Sequence, residues 1–599
     1  MNLTSTDCLI TLVYFALMLA VANRARNRVK TGADFFQASR SLPAWVCGLA
    51  FFAAGMGAPE VIGMGAAGAR FGLVAARSFI LGAVPAMLFL AVFMAPIYYG
   101  SKARTVPEYL GLRFDSKTRT LNAILFVAMS VFSAGVSMTL FGRVFNALHV
   151  FDGIFRAMGW PLGGIFVLSV ALPAVIVLSV VLLGGLRGAI YGQVVQFLVL
   201  GSGLLPVVLL GLKKIGGWNG LVAALPAAGL QSWHGAAHGG SIVLAGLGLG
   251  LLVCGSFWCA DFRVLQMAMA AKNLDSARRA PLVAALAAML LPLLLVVPGM
   301  VSIALPTPRT STFTRFENGA IIHETTMARP EAELGNGLVP ARMDTATGQP
   351  VRDASGRVAL DYAMATPNLL PHVLPNGLLG LGLTALLASL MSGLAANVTA
   401  LGAVLTRDLY EPFMGKALDD GQALRVGRWA AAGAFLLAAA AACAATRLDN
   451  LLGALLLVFS VAGVPIFAAV LMGMFWKRAT GHGAFAGLAA GASAALLHHG
   501  LTLPADAYRG MSGGWIAVAR SYPDDLTQCF WTALLAFCVS LLVTVAVSLV
   551  TKARPEAEQA GLVRSLTPWA GAKRMAWWKR PETLAVGILL VAIATIFLG

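Results

Sequence analysis

Phe51-Phe-Ala-Ala-Gly-Met-Gly-Ala-Pro-Glu60 lies inside an apolar run of the chain, yet it carries two glycines, a proline and a carboxylate. A membrane-spanning helix satisfies its backbone groups internally, and residues that unwind it are tolerated only where the freed groups meet protein, water, an ion or a solute. Residues 53 to 60, with Gly55 among them, therefore read as a deliberate break and a candidate binding locus. Pro59 has no amide hydrogen and suits the first position of a restarted helix. Glu60 then falls in that helix's first turn, beside its positive dipole end. Two roles are open to it: a helix-start charge, or a group that binds a solute or a proton.

The rest of the composition agrees with a membrane setting. Of 599 residues, 58% are hydrophobic and 12% charged, with a mean hydropathy of +0.80. Such a chain is a polytopic, all-α integral membrane protein whose main partner is the lipid bilayer. The first apolar run, from about Cys8 to Ala22, has no basic residue before it and reads as a retained span rather than a signal peptide. The formal charge of +17 is dispersed among short loops, so it reports orientation and not a nucleic-acid partner. The seven cysteines have no zinc-site or disulfide-framework spacing and read as small buried hydrophobes.

Apolar windows fall near 5–23, 42–68, 73–99, 120–148, 160–183, 188–211, 241–262, 281–304, 376–404, 427–445, 449–475, 481–503, 526–551 and 582–598. They predict about 14 transmembrane helices in a single transporter domain. With the N-terminus outside, the loops expected in the cytoplasm hold 28 of the 43 Lys and Arg residues, and the C-terminus is then outside too. The polar stretch Thr307 to Pro367 has turn pairs at Asn336-Gly337 and Ser355-Gly356 and reads as an external loop with short hairpins, His323 and Glu324 being solvated. His234 and His238 have a metal-like spacing, but flanking glycines argue against the helix it needs. Neither a phosphate-binding glycine loop nor a nucleophile elbow is present, which disfavours an ATP-driven pump or an enzyme.

Two further segments share the character of the opening stretch. Cys254-Gly-Ser-Phe-Trp-Cys-Ala-Asp-Phe-Arg263 interrupts an aliphatic run, and its Phe257 and Trp258 suit a lid over a solute or, for Trp258, an interface anchor. Leu387-Ala-Ser-Leu-Met-Ser-Gly-Leu-Ala-Ala-Asn-Val-Thr399 is crowded with small and polar residues, read either as close helix packing or as a ligand face. An unwound stretch beside a serine-bearing helix offers the neutral oxygens that a hard cation such as sodium prefers.

Several motifs occur in order: Ser41-Leu-Pro-Ala-Trp45; Thr105-Val-Pro-Glu-Tyr-Leu-Gly-Leu-Arg-Phe114; Gly184-Gly-Leu-Arg-Gly-Ala-Ile-Tyr191 running to Gln196; Trp258-Cys-Ala-Asp261 with Gln266 and Ala270-Ala-Lys-Asn273; Leu374-Pro-Asn-Gly-Leu-Leu-Gly380; Thr406-Arg-Asp-Leu-Tyr410; and Gly473-Met-Phe-Trp-Lys-Arg478. The set, covering about residues 33 to 492, resembles the sodium:solute symporters, which include bacterial galactose, proline and sialic acid carriers. The resemblance implies a leucine-transporter-type core of two inverted five-helix repeats, about 42–211 and 241–475, with peripheral helices near 5–23, 481–503, 526–551 and 582–598. It implies sodium held by backbone carbonyls at Ala53 and Met56 together with Ser389, Ser392 and Gly393.

The chain departs from that family at telling places. Ser392-Gly393 stands where two adjacent hydroxyl residues are usual, and Gln193 stands where an aspartate serves the ion path; Asn397 and Thr399 are candidate substitutes. Of the sugar pocket, Glu60 replaces a glutamine, Cys254 an asparagine, and Ala288 a lysine, so only Phe257 matches the aromatic inner gate. Glu60 and Arg77 are expected to pair with each other or to meet a charged solute. The sequence thus predicts a secondary active symporter of the cytoplasmic membrane that imports a small organic solute with sodium, without a cofactor or an obligate protein partner. Its rivals are a proton-coupled or uncoupled carrier of the same fold and a solute sensor.

Overall fold

The computed structural model describes residues 4–148, 165–225 and 252–598, apart from short stretches within 307–355, 416–417, 447–450, 506–511 and 568–575. His234, His238 and the first half of the span expected at 241–262 lie outside the described residues. The chain is almost wholly helical. Its principal helices are α1 Ser5–Arg26, α2 Gly32–Gln37, α3 Ala44–Ala54, α4 Ala58–Phe71, α5 Leu73–Gly100, α6 Val106–Arg113, α7 Ser116–Ala147 and α8 Ile165–Lys214. They continue with α9 Cys254–Cys259, α10 Phe262–Met269, α11 Leu274–Ala304, α12 Leu378–Met414, α13 Asp420–Ala445, α14 Leu451–Phe475, α15 Gly481–Leu501, α16 Asp525–Val550 and α17 Pro581–Leu598.

Among the described residues ten helices are long and apolar enough to cross a membrane, or eleven with the bent pair α3–α4. The sequence separated 160–183 from 188–211; here 165–183 and 188–211 both belong to α8, which turns at Gly185, whose φ of 53° suits glycine. The polar segment forms a hairpin, Thr310–Glu317 paired antiparallel with Ala320–Ala328, while the named turn pairs carry single bridges, Asn336 to Val339 and Arg352 to Val358.

At the centre lies α12, in which nearly every residue from Leu379 to Val404 is buried. It packs along α8, while α11 packs against both α3 and α4. Asp7 of α1 accepts hydrogen bonds from the amides of Gly377 (2.8 Å) and Gly380 (2.7 Å), satisfying donors at the start of α12 that no helical carbonyl can reach. At the periphery Gly483, Gly487 and Gly491 of α15 meet Ser540, Thr544 and Ser548 of α16, a close approach that only small residues permit. The cysteines do not behave uniformly: Cys47, Cys259 and Cys529 are buried, but Cys443 and Cys538 are exposed on outer helices.

The short motifs turn out to be one another's partners at one end of the bundle. Leu42 exchanges backbone hydrogen bonds with Ala270 and Lys272 (3.2 and 2.9 Å). Arg187 donates to Ala38 O and Ser41 Oγ. Thr105 Oγ1 and Arg119 Nε both donate to Asp408, at 2.6 and 2.7 Å. Arg113 Nε donates to Gly473 O at 2.8 Å and its Nη2 to Trp476 O at 3.0 Å. Burial raises the Glu108 carboxyl, but the hydrogen bonds and charge of Arg104, 2.8 Å away, outweigh this and hold it below its usual range.

Candidate transport site

The apolar run around residue 55 breaks where the sequence places the break. α3 ends at Ala54, α4 begins at Ala58, and their axes differ by 66°. Pro59 sits in the first turn of α4 and Gly57 is its N-cap. Glu60 is the third helical residue, and its carboxylate reaches back to the Gly57 amide, half of a capping box. The helix-start role is therefore real, and it engages only part of the carboxylate.

Opposite the break stands α12. Ser392 Oγ donates to Ala53 O at 2.7 Å, and the same carbonyl accepts the Met56 amide at 2.9 Å. Ser389 Oγ turns to its own helix, bonding Leu386 O at 2.7 Å. Gly393 has a steric reason: a Cβ there would lie 2.9 Å from Gly57 Cα. The glycine that looked like a missing hydroxyl is what lets α12 touch the unwound backbone. Gln193 on α8 donates to Ser392 O at 3.5 Å, and its Oε1 has no partner among the described residues.

Aromatic rings close the other side. Trp258 is 1% exposed, stacked on Phe52 and tilted against Phe51, which rules out the interface-anchor role. A Cβ at Gly55 would fall 2.5 Å from the Trp258 ring and 2.9 Å from Phe257, so glycine is required for this contact. Phe257 and Cys254 are half-buried.

Beneath the rings is a charge cluster that the sequence did not single out as a site. α9 ends at Cys259 and α10 starts at Phe262, with Asp261 as its N-cap. Asp261 accepts from the Arg263 amide at 2.9 Å and from Arg263 Nε at 2.8 Å, and both side chains are almost fully buried. Arg263 Nη1 also donates to Ser133 Oγ (2.9 Å) and Asn397 Oδ1 (3.5 Å), and its guanidinium lies over the rings of Phe257 and Phe459 at 5.4 and 5.1 Å. Asn397 Nδ2 returns to Gly393 O at 2.9 Å, and Gln266 Nε2 bridges to Thr399 Oγ1 at 3.0 Å. The polar atoms of Asn397 and Thr399 thus tie α12 to α10. An acid and a base two residues apart inside an apolar run was the available signal, since ionisable groups at membrane depth are seldom idle.

Arg77 does not join the site through Glu60. It is buried on α5, its Nη1 has no partner, and no ion pair links it to Glu60 among the described residues. Glu60 lies in the first turn of α4, whereas Arg77 lies in the second turn of the next helix, α5.

The chain as a whole is similar to known proteins. The model of the sodium:solute symporter family matches residues 35–491. A sodium/glucose cotransporter of Vibrio parahaemolyticus is 26% identical over 513 residues, covering 82% of this chain and 84% of its own. Sodium/glucose cotransporter 4 of Homo sapiens is 25% identical, over 97% of this chain and 79% of its own. Among solved structures, a sodium-coupled sialic acid symporter in a substrate-bound outward-open state superposes with a TM-score of 0.70 at 16% identity, covering 92% of this chain and 99% of that one. Mhp1, a nucleobase-cation-symport-1 family transporter in a closed conformation, gives 0.50 at 12% identity, covering 88% and 97%. The structural likenesses speak to the fold; the family match, spanning most of the chain, shows that this multi-pass membrane protein belongs to the sodium:solute symporter family.

Proposed function

We propose that the chain is a secondary active symporter that imports a small organic solute together with sodium by alternating access. The observation that carries this reading is the meeting of the broken span with α12, where the Ala53 carbonyl and the Ser392 hydroxyl lie 2.7 Å apart. Sodium inserting there takes both oxygens as ligands, with Ser389 and the Met56 carbonyl completing the shell, and Ser392 turns its proton away. Gly393 supplies no side-chain oxygen, so the ion is held by fewer hydroxyls than its relatives use. Ion and solute share the broken span, so each favours the other's binding.

The fourteen-span, two-repeat reading goes with this proposal: α3 to the end of α8 forms one repeat and the segment from 241 to the end of α14 the other. The distribution of basic residues supports an orientation with the clustered motifs on the cytoplasmic side and both termini outside a cytoplasmic membrane. One observation favours a second reading, in which the coupling ion is a proton: Glu60 has no side-chain partner among the described residues. Thermal stabilisation of the purified protein against a solute panel, in sodium and in potassium, separates the two. A ligand that stabilises equally in both salts refutes sodium coupling, and uptake into proteoliposomes that follows pH but ignores sodium establishes the proton. Saturable binding with no accumulation in vesicles would mark a sensor instead.

A further inference from the structure

The exposure pattern of α4 singles out one face. Glu60, Gly63, Met64, Ala67 and Phe71 are half-exposed, while Val61, Ile62, Gly65, Ala66, Gly68 and Ala69 are buried. Spacings of three, four, seven and eleven residues from Glu60 place the first set on one helical stripe, less buried than the second set. Glu60 is the charged residue of that stripe and its innermost member, one turn from the break.

Charge around the break is uneven. Glu60 lies within electrostatic reach of Asp261 and Arg263, two carboxylates and one guanidinium. Arg263 is 4% exposed and fully engaged by Asp261, Ser133, Asn397 and two aromatic rings. Asp261 is consumed by the same pair and by capping α10. Among the described residues Glu60 has only backbone amides as hydrogen-bond partners, its own and that of Gly57. Arg77 of α5 makes no ion pair with it among the described residues.

We propose that the transported solute carries a cationic nitrogen, and that Glu60 is the residue that selects it; the inference rests on the transport reading given above. When the site closes around its cargo it loses water, and a carboxylate left without a counter-charge in a dry site is costly. A neutral polyol leaves that charge uncompensated. An anionic solute adds a like charge beside it and finds Arg263 already bound to Asp261. A cationic nitrogen against Glu60 restores balance, and half-exposed Phe257, packed on Gly55 two residues from the N-cap, offers an aromatic edge for the rest of the molecule. A proton on Glu60 neutralises the site equally well, and the experiment separates these two sources of positive charge.

Full-length protein in proteoliposomes, under an inward sodium gradient at pH 7, is offered the small-molecule fraction of yeast extract, and accumulated species are identified by mass spectrometry. Amines or quaternary ammonium compounds are expected to dominate. Glu60→Gln is expected to lower their accumulation at least tenfold while leaving thermal stability near that of the parent, and Glu60→Asp to retain part of it. Accumulation chiefly of neutral or acidic solutes, or unchanged amine uptake in Glu60→Gln, overturns the proposal. Neutral-solute uptake that rises with external acidity in the parent but not in Glu60→Gln assigns Glu60 to a proton and overturns it as well. If nothing accumulates under the sodium gradient, the transport reading itself fails, and this inference with it.

Discussion

Replacing Gly393 by serine restores the hydroxyl that the family pattern leads one to expect, and the structure predicts that it harms the site. The new Cβ would stand 2.9 Å from Gly57 Cα, a backbone atom that no rotamer change can move. Comfortable carbon–carbon contact needs about 3.5–4.0 Å, so α12 and the break must part by roughly 0.6–1 Å. That motion stretches the 2.7 Å Ser392–Ala53 hydrogen bond beyond the usual range for two oxygens. Overpacking of this kind costs about 1–3 kcal/mol. The assay is thermal unfolding in nanodiscs across a sodium titration, with Gly393→Ala as the control that adds the carbon without the hydroxyl. Both variants are expected to lose stability in potassium, and neither to respond to sodium at lower concentration than the parent. A Gly393→Ser protein that keeps full stability and responds to less sodium would refute the steric account and show that the gap was a missing ligand.

Asp261→Asn leaves a buried guanidinium without its counter-charge and should destabilise the fold by about 3–5 kcal/mol, read as loss of thermal stability; Asp261→Asn with Arg263→Met should recover most of it, and failure to do so would show the pair is not the source. Ser392→Ala removes one of two donors to Ala53 O, costing about 1 kcal/mol, and should raise the sodium concentration for half-maximal stabilisation at least tenfold. An unchanged sodium response would remove Ser392 from the ion site. Glu108, lowered in the folded state from an ordinary value of 4.5, contributes stability that is present above that value and lost as pH falls through its folded pKa. Glu108→Gln should therefore be less stable than the parent at pH 7, with the difference closing as the pH falls through the lowered folded-state pKa; a constant difference across that range would show that the Arg104 interaction is not electrostatic.

Much of the fold is local information. The apolar windows marked the helices because a lipid-crossing segment must be long and apolar wherever it packs, and Gly55, Gly57 and Pro59 marked the break because their backbone chemistry opposes a continuous helix. Even the single bridges Asn336–Val339 and Arg352–Val358 were foreseeable from the turn pairs at 336–337 and 355–356, although the hairpin at 310–328 lies elsewhere. The kink at Gly185 was not, since a glycine in an apolar run says nothing of its φ until a neighbour, here Phe35, crowds it.

The site divides along the same line. By itself the sequence determined that α3 and α4 part near residue 55, that serines 389 and 392 share a helix, and that Glu60 begins a turn, because each depends on residues close in the chain. Only the tertiary structure decided that Gly393 is a contact with Gly57, that Arg77 misses Glu60, and that Arg263 is locked to Asp261, Ser133 and Asn397. Those facts depend on which helices touch and at what height, and a difference of one helical turn, about 5.4 Å, is enough to decide whether two charges meet.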